Sequence, residues 1–345
     1  TASPGNETQK IIKVREKRHM EKRTENMIRN YEIVGTLTTD NSGFSRWGRA
    51  TCGGRTVFIK EFLTPVYPAD DSGLSESLIR SKRMVCQEFY QKKEDLYHRL
   101  AECQTGNIIW VEEFFRYGAR YYITTEFVQD AVDTINTVKT LSDEKKRIIL
   151  RLLAYNIGVL HGKGIVHSDI KPNNILVKPT LGGYYTAKLI DFDASFTIDD
   201  PPKAGDDVHG DFVYLAPEVF LQMRDVSGCL NEKIDIFSLG LVMHELWCGS
   251  LPSFSGEFNY AFEAIVNNET VFIDRSIPAD VSRLISRMLL LDPRQRPSAE
   301  ECFSSLGDPL PVGITEAAKD PTVREAVGGS EAAAAKSLWK RAGDL

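Results

Sequence analysis

The sequence predicts a mixed α+β fold in two lobes, and three observations carry that prediction. From Tyr31 to about Val128, short β-branched and aromatic runs alternate with glycine turns. One long helical stretch, roughly Ser75–Cys103, interrupts them. Beyond Val128 the apolar residues recur with helical spacing as far as about Leu306. A strand-rich half followed by a helical half means two lobes, and lobe junctions are where ligand sites form.

Each segment has its own signature. Residues 1–30 are a basic lead-in, with Lys10, Lys13, Arg15, Lys17, Arg18, Lys22, Arg23 and Arg29 outnumbering Glu16, Glu21 and Glu25. Such a run is a solvated arm, available to dock a partner. Within 31–128, Phe44–Thr51, the turn Cys52-Gly53-Gly54 and Thr56–Lys60 read as a hairpin. The stretch Ser75–Cys103 is rich in Glu, Lys and Leu and free of Gly and Pro between its ends. Within 129–306, Ile149, Leu152, Leu153, Ile157 and Leu160 fall on one helix face, with Ser142 as cap and Asp143 and Glu144 in its first turn. Apolar helices follow at Ile234–Trp247 and Val281–Leu291. Residues 307–345 turn to Gly, Pro and Ala, a tail expected to be partly helical.

Composition excludes several classes. A 42% hydrophobic and 26% charged chain is an ordinary globular one, and a net charge of −6 argues against bulk nucleic-acid binding. The six cysteines show no CxxC pair, so reduced thiols are expected. The N-terminus is unlike a signal peptide and no apolar run is long enough to span a bilayer, so a cytoplasmic location is the expectation.

The densest chemical signal is His167-Ser168-Asp169-Ile170-Lys171-Pro172-Asn173-Asn174, followed by the apolar strand Ile175–Val177 and then by Ala187–Asp193. Phosphoryl transfer from ATP needs a carboxylate beside the attacking hydroxyl and oxygen ligands for magnesium. Asp169, Asn174 and Asp191 supply that set, and Lys171 adds a charge that can steady the transferring group.

These residues resemble the catalytic and metal-binding loops of eukaryotic-like serine/threonine protein kinases, and the likeness runs from about Tyr31 to Leu306. The resemblance implies a kinase-like fold with a β-rich N-lobe and a helical C-lobe, ATP and Mg2+ as cofactors, and protein substrates bearing Ser or Thr. It assigns Asp169 as base and Lys171 as its partner, Asn174 and Asp191 as metal ligands, and Lys60 as the holder of the α- and β-phosphates. Lys60 is expected to pair with Glu88 or Glu94 on the long helix; Glu88 is preferred because Phe89, Leu96 and Leu100 then run inward. Thr125 is similar to the gatekeeper, and the backbone of Glu126 and Val128 to the adenine-binding hinge. Gly210–Glu218 looks like the substrate-docking loop with its closing A-P-E. Asp235–Gly240 matches the helix whose Asp ties down the catalytic loop, and Leu291–Ser298 the motif whose arginine pairs with Glu218.

The chain also departs from that pattern. Gly43 stands at the third glycine of the phosphate loop, but Thr38 and Asp40 occupy the first two places. Ser168 replaces the arginine that reads an activation phosphate, which predicts activity without one. Asp193 replaces the final glycine of D-F-G, either as a turn residue or as a second carboxylate near the metals. Asp211 replaces a threonine, and as an acceptor it is placed to bond Lys171. Two other readings stay open: a pseudokinase scaffold, favoured by the poor loop and Asp193, and a small-molecule kinase, opposed by Lys171, Ala216-Pro217-Glu218 and Asp292–Arg296.

Overall fold

The computed structural model describes residues 26–40, 45–103, 105–180, 182–203, 210–224 and 230–307. The arm 1–25, Gly43, Cys229 and the tail from 308 lie outside the described residues. The described residues divide into two compact units: those up to Ala101 with Trp110–Gln129, and those of Glu102–Ile109 with those from Asp130. The short stretch Glu102–Ile109 belongs to the second unit through its own backbone. Ile109 N–H donates to Leu189 O at 2.9 Å, and Leu189 N–H donates to Asn107 O at 2.9 Å.

The first unit is a six-stranded antiparallel sheet in the order β1-β2-β3-β4-β6-β5. Its strands are β1 (Met27–Ile28), β2 (Tyr31–Thr38), β3 (Ser45–Cys52), β4 (Arg55–Phe62), β5 (Val111–Tyr117) and β6 (Arg120–Glu126). The expected hairpin is β3–β4. Gly53 and Gly54, at φ +58° and +81°, make the tight two-residue turn that only residues tolerant of positive φ allow. Side chains alternate along β4, so Val57 and Ile59 face one side and Phe58, Lys60 and Phe62 the other. Val57 and Ile59 pack with Tyr31, Ile33, Ala50, Phe115 and Tyr122 in a closed core. On the opposite side lies helix α1 (Glu76–Ala101), whose Phe89 meets Phe62 at 5.4 Å and Tyr121 at 5.2 Å between ring centres. Burying aromatic rings in edge-on pairs is what holds this helix to the sheet.

The second unit is built around helix α3 (Asp143–Gly162), which follows the short α2 (Thr134–Val138). Ile149, Leu152, Leu153, Ile157 and Leu160 are buried as their spacing requires. Ser142 does sit at the N-cap, but its side chain makes no capping bond; the dipole partners Asp143 and Glu144 occupy the first turn. Helices α4 (Pro217–Met223), α5 (Lys233–Cys248), α6 (Ala261–Val266), α7 (Ala279–Met288) and α8 (Ala299–Ser305) complete the unit. Helix α5 is apolar nearly all round and is buried accordingly. Gly240 permits its close approach to α7, because a Cβ there would stand 3.0 Å from that of Met288. Three two-stranded ladders decorate the unit: β7 (Ile165–Val166) with β10 (Phe196–Thr197), β8 (Ile175–Pro179) with β9 (Tyr185–Leu189), and β11 (Ser253–Phe254) with β12 (Val271–Phe272). Cys52, Cys86, Cys103, Cys248 and Cys302 are free thiols. No described helix is long and apolar enough to cross a membrane.

Candidate active site

The short strand β7 delivers the chain into the loop 167–171, and the loop's shape is set from below. Asp235 on α5 is fully buried. Its two oxygens accept the N–H of His167 and of Ser168, each at 2.8 Å, and one of them meets His161 Nε2 at 3.0 Å. Ser168 takes φ +66° and Asp191 φ +65°, conformations that cost a non-glycine residue about 1–3 kcal/mol. The surrounding bonds explain why they persist. His167 Nε2 lies 3.1 Å from Ile190 O, and Ile190 N–H donates to Asn174 O at 3.0 Å, so the residue before Asp191 is tied to both ends of the loop.

Within this frame the structure brings Asp169, Lys171 and Asn174 together. Asn174 Nδ2 donates to the carbonyl and to Oδ2 of Asp169, both at 2.8 Å. Lys171 Nζ reaches the same Oδ2 at 2.9 Å. The remaining oxygen, Oδ1, accepts the N–H of Asp211 at 3.2 Å. Asp169 is thus an acceptor held at both oxygens, yet part of it stays exposed to solvent. Asp191 follows β9, and its Oδ1 lies 3.4 Å from the N–H of Asp193. Asp193 itself is not among the positive-φ residues, so this position makes no demand for glycine.

The docking-type segment is anchored with equal care. Asp211, expected to bond Lys171, instead uses its Oδ1 to cap the turn 212–214, accepting Val213 N–H at 3.0 Å. Its carboxylate is turned toward the backbone because that turn leaves an orphan donor there. Tyr214 donates to Glu245 at 2.6 Å, and burial raises the Glu245 carboxyl above its ordinary range. Glu218 and Arg296 form a two-pronged pair at 2.7 and 2.8 Å, with Arg296 only 2% exposed.

In the first unit, Lys60 is 4% exposed on the α1 side of β4, opposite Ile123 of β6. Thr125, paired across the sheet with Phe58, lies on that same side and donates to Glu126 O at 3.2 Å; Val128 is half-buried just beyond the strand. The preference for Glu88 is corrected. Leu96 and Leu100 do point inward, but Glu88 falls on the solvent flank, 68% exposed, and meets Lys92 one turn on at 3.3 Å. Six residues along a helix is a rotation of roughly 240°, so Glu94 lies on a different flank. It is half-buried, beside Tyr90, whose hydroxyl pKa is raised by burial and by that carboxylate.

The donor set fits magnesium. Asn174 uses its amide nitrogen on Asp169, which leaves its oxygen for a cation, and Asp191 contributes a carboxylate; both are hard ligands. Among the described residues no cluster of three or more His, Cys, Asp or Glu forms a self-contained metal cage.

A curled antiparallel sheet with one long helix, a helical unit, and an H-x-D loop clamped by a buried aspartate define a protein kinase domain. Comparison agrees: the protein kinase domain family matches residues 81–306, and the chain belongs to that family. It is 34% identical over 189 residues to serine/threonine-protein kinases of Drosophila persimilis and Drosophila melanogaster, covering 52% of this chain and 24% of each. It is 27% identical over 207 residues to a probable myosin light chain kinase of Dictyostelium discoideum, covering 57% of this chain and 64% of that protein. The chain therefore spans less than two thirds of these relatives. The family match begins after Lys60 and the stretch Thr38–Gly43.

Proposed function

We propose that this domain transfers the γ-phosphoryl group of ATP to serine or threonine hydroxyls of proteins, with Mg2+, in the cytoplasm. The observation that carries the reading is the Asp169 carboxylate, held at one oxygen by Asn174 and Lys171 and at the other by a backbone N–H. A carboxylate so fixed, and still reached by solvent, is oriented to accept the proton of an incoming hydroxyl. Lys171 balances charge as that proton arrives. Asn174 and Asp191 would hold Mg2+, which neutralises phosphate charge when bound. Lys60 would hold the non-transferring phosphates, with Glu94 in place of Glu88 as its partner on α1. Thr125 and the backbone of Glu126 and Val128 would receive adenine, and Gly43 would cover the phosphates. The reading needs no activation phosphate, because Ser168 offers no guanidinium to receive one.

The test is intact-mass analysis of the protein incubated with ATP, Mg2+ and a basic protein substrate, beside an Asp169→Asn control. Phosphate on chain or substrate, absent in the control, supports the reading. A thermal-shift titration with ATP in the same session separates the alternatives. No incorporation together with no ATP-induced shift would mark a scaffold and overturn the proposal.

A further inference from the structure

The connection 63–75 joins β4 to α1 without regular secondary structure, and a connection of that length inside a compact unit usually has a task. Its one half-buried aromatic, Tyr67, has two guanidinium groups from different elements over its ring. Arg116 of β5 stands 4.2 Å from the ring centre and Arg83 of α1 stands 5.5 Å from it. Tyr67 N–H donates to Ala119 O at 2.9 Å, in the β5–β6 turn, and Arg83 also pairs with Asp70 of the same connection. The segment is therefore a strap from the β5–β6 hairpin to the N-terminal half of α1.

That half of the helix has little else to hold it. The C-terminal half is packed through Phe89, Tyr90 and Tyr97 onto Phe114 and Tyr121. Ahead of Cys86, by contrast, Leu78, Met84 and Val85 are 44%, 65% and 55% exposed. A helix gripped by its core at one end only frays and pivots at the other. The contacts of Arg83 with Tyr67 and Asp70 are the side-chain ties named for this end among the described residues.

We infer that Tyr67 is a positioning residue: with Arg83 and Arg116 it fixes the angle of α1 on the sheet, and so the placement of the carboxylates this helix carries toward Lys60. The inference rests on the proposed phosphotransfer for its kinetic consequence, but not for its structural one. It also fits the proposed activity without an activation phosphate, since the helix would be strapped from within.

The experiment compares the full chain with Tyr67→Ala, Tyr67→Phe and the surface change Arg116→Gln, by hydrogen exchange and by steady-state kinetics. Expected for Tyr67→Ala is about tenfold faster amide exchange over residues 76–88, with β2–β4 unchanged. Its kcat should fall several-fold while KM for the protein substrate holds. Tyr67→Phe keeps the ring and should match the parent, and Arg116→Gln should show about half the logarithmic effect. Should Tyr67→Ala fail to fold, Arg116→Gln carries the test alone. Unchanged exchange in 76–88 in the folded variants overturns the strap. Faster exchange with an unaltered kcat overturns its positioning role. Faster exchange in a chain whose parent shows no turnover supports the strap and counts against phosphotransfer instead.

Discussion

The carboxylate of Asp235 accepts the backbone N–H of His167 at 2.8 Å across 68 residues of chain, and its second oxygen does the same for Ser168. One buried acidic group therefore sets the path of the loop that carries Asp169. An acidic side chain with no solvent exposure persists only when its lone pairs are filled, and here the loop fills them. Loop and helix each satisfy what the other would leave buried and unpaired.

Asp235→Asn should destabilise the domain by about 2–3 kcal/mol, because the amide nitrogen faces a backbone N–H that has no other acceptor. Asp235→Ala should cost more. Denaturant unfolding measures both, and an unchanged midpoint for the asparagine variant would show that the loop is held by other means.

On the proposed phosphotransfer, Asp169→Asn should lower kcat by about 10²–10⁴-fold, the usual effect of removing a positioned base. The asparagine oxygen can still accept from Asn174 or Lys171, so the melting temperature should stay near that of the parent. Initial rates with saturating ATP, paired with a thermal melt, separate loss of chemistry from loss of fold.

Arg296 is almost wholly buried, and besides Glu218 it donates to the carbonyls of Leu290, Leu291 and Lys233. Removing the partner in Glu218→Ala strands a buried guanidinium and should cost about 3–5 kcal/mol. Glu218→Gln keeps an acceptor and should cost less. Chemical denaturation ranks the two, and equal effects would mean that charge pairing is unimportant here.

His244 predicts a pH dependence. Its Nδ1 lies 2.7 Å from Ser250 O and its Nε2 accepts the N–H of Asp274 at 3.0 Å, an arrangement that suits the neutral ring protonated at Nδ1. Burial pushes its pKa below the ordinary histidine value. A base with a depressed folded pKa binds its proton more readily once unfolded. Its contribution is therefore complete above about pH 6.5 and is lost as the pH falls below that, levelling off beneath the folded value. Melting temperatures from pH 7.5 to 5 should fall more steeply for the parent than for His244→Gln. Parallel curves would assign the acid sensitivity to other groups.

Much of this protein was legible as a string because its chemistry is local. Asp169, Lys171 and Asn174 lie within six positions, so one loop brings them together and the family resemblance could point to all three in a single stretch. The strand-to-helix change near Val128 and the Gly53-Gly54 turn were readable because periodicity and positive φ are properties of neighbouring residues. Glu88 misled for a matching reason. Choosing between two glutamates on one helix needs its rotation on the sheet, and that is settled by Phe62, Phe114 and Tyr121, residues remote in sequence. Asp211 is a similar case: its Oδ1 accepts Val213 N–H, a turn contact that residue type alone does not announce.

Family, α+β class and the loop residues proposed to carry chemistry were thus readable from short-range patterns. Long-range packing, by contrast, brings Arg83 and Arg116 to Tyr67, buries His244 against Ser250 and Asp274, and turns Glu88 to solvent. Those outcomes depend on contacts among distant residues, where geometry and burial, rather than spacing along the chain, choose the partner.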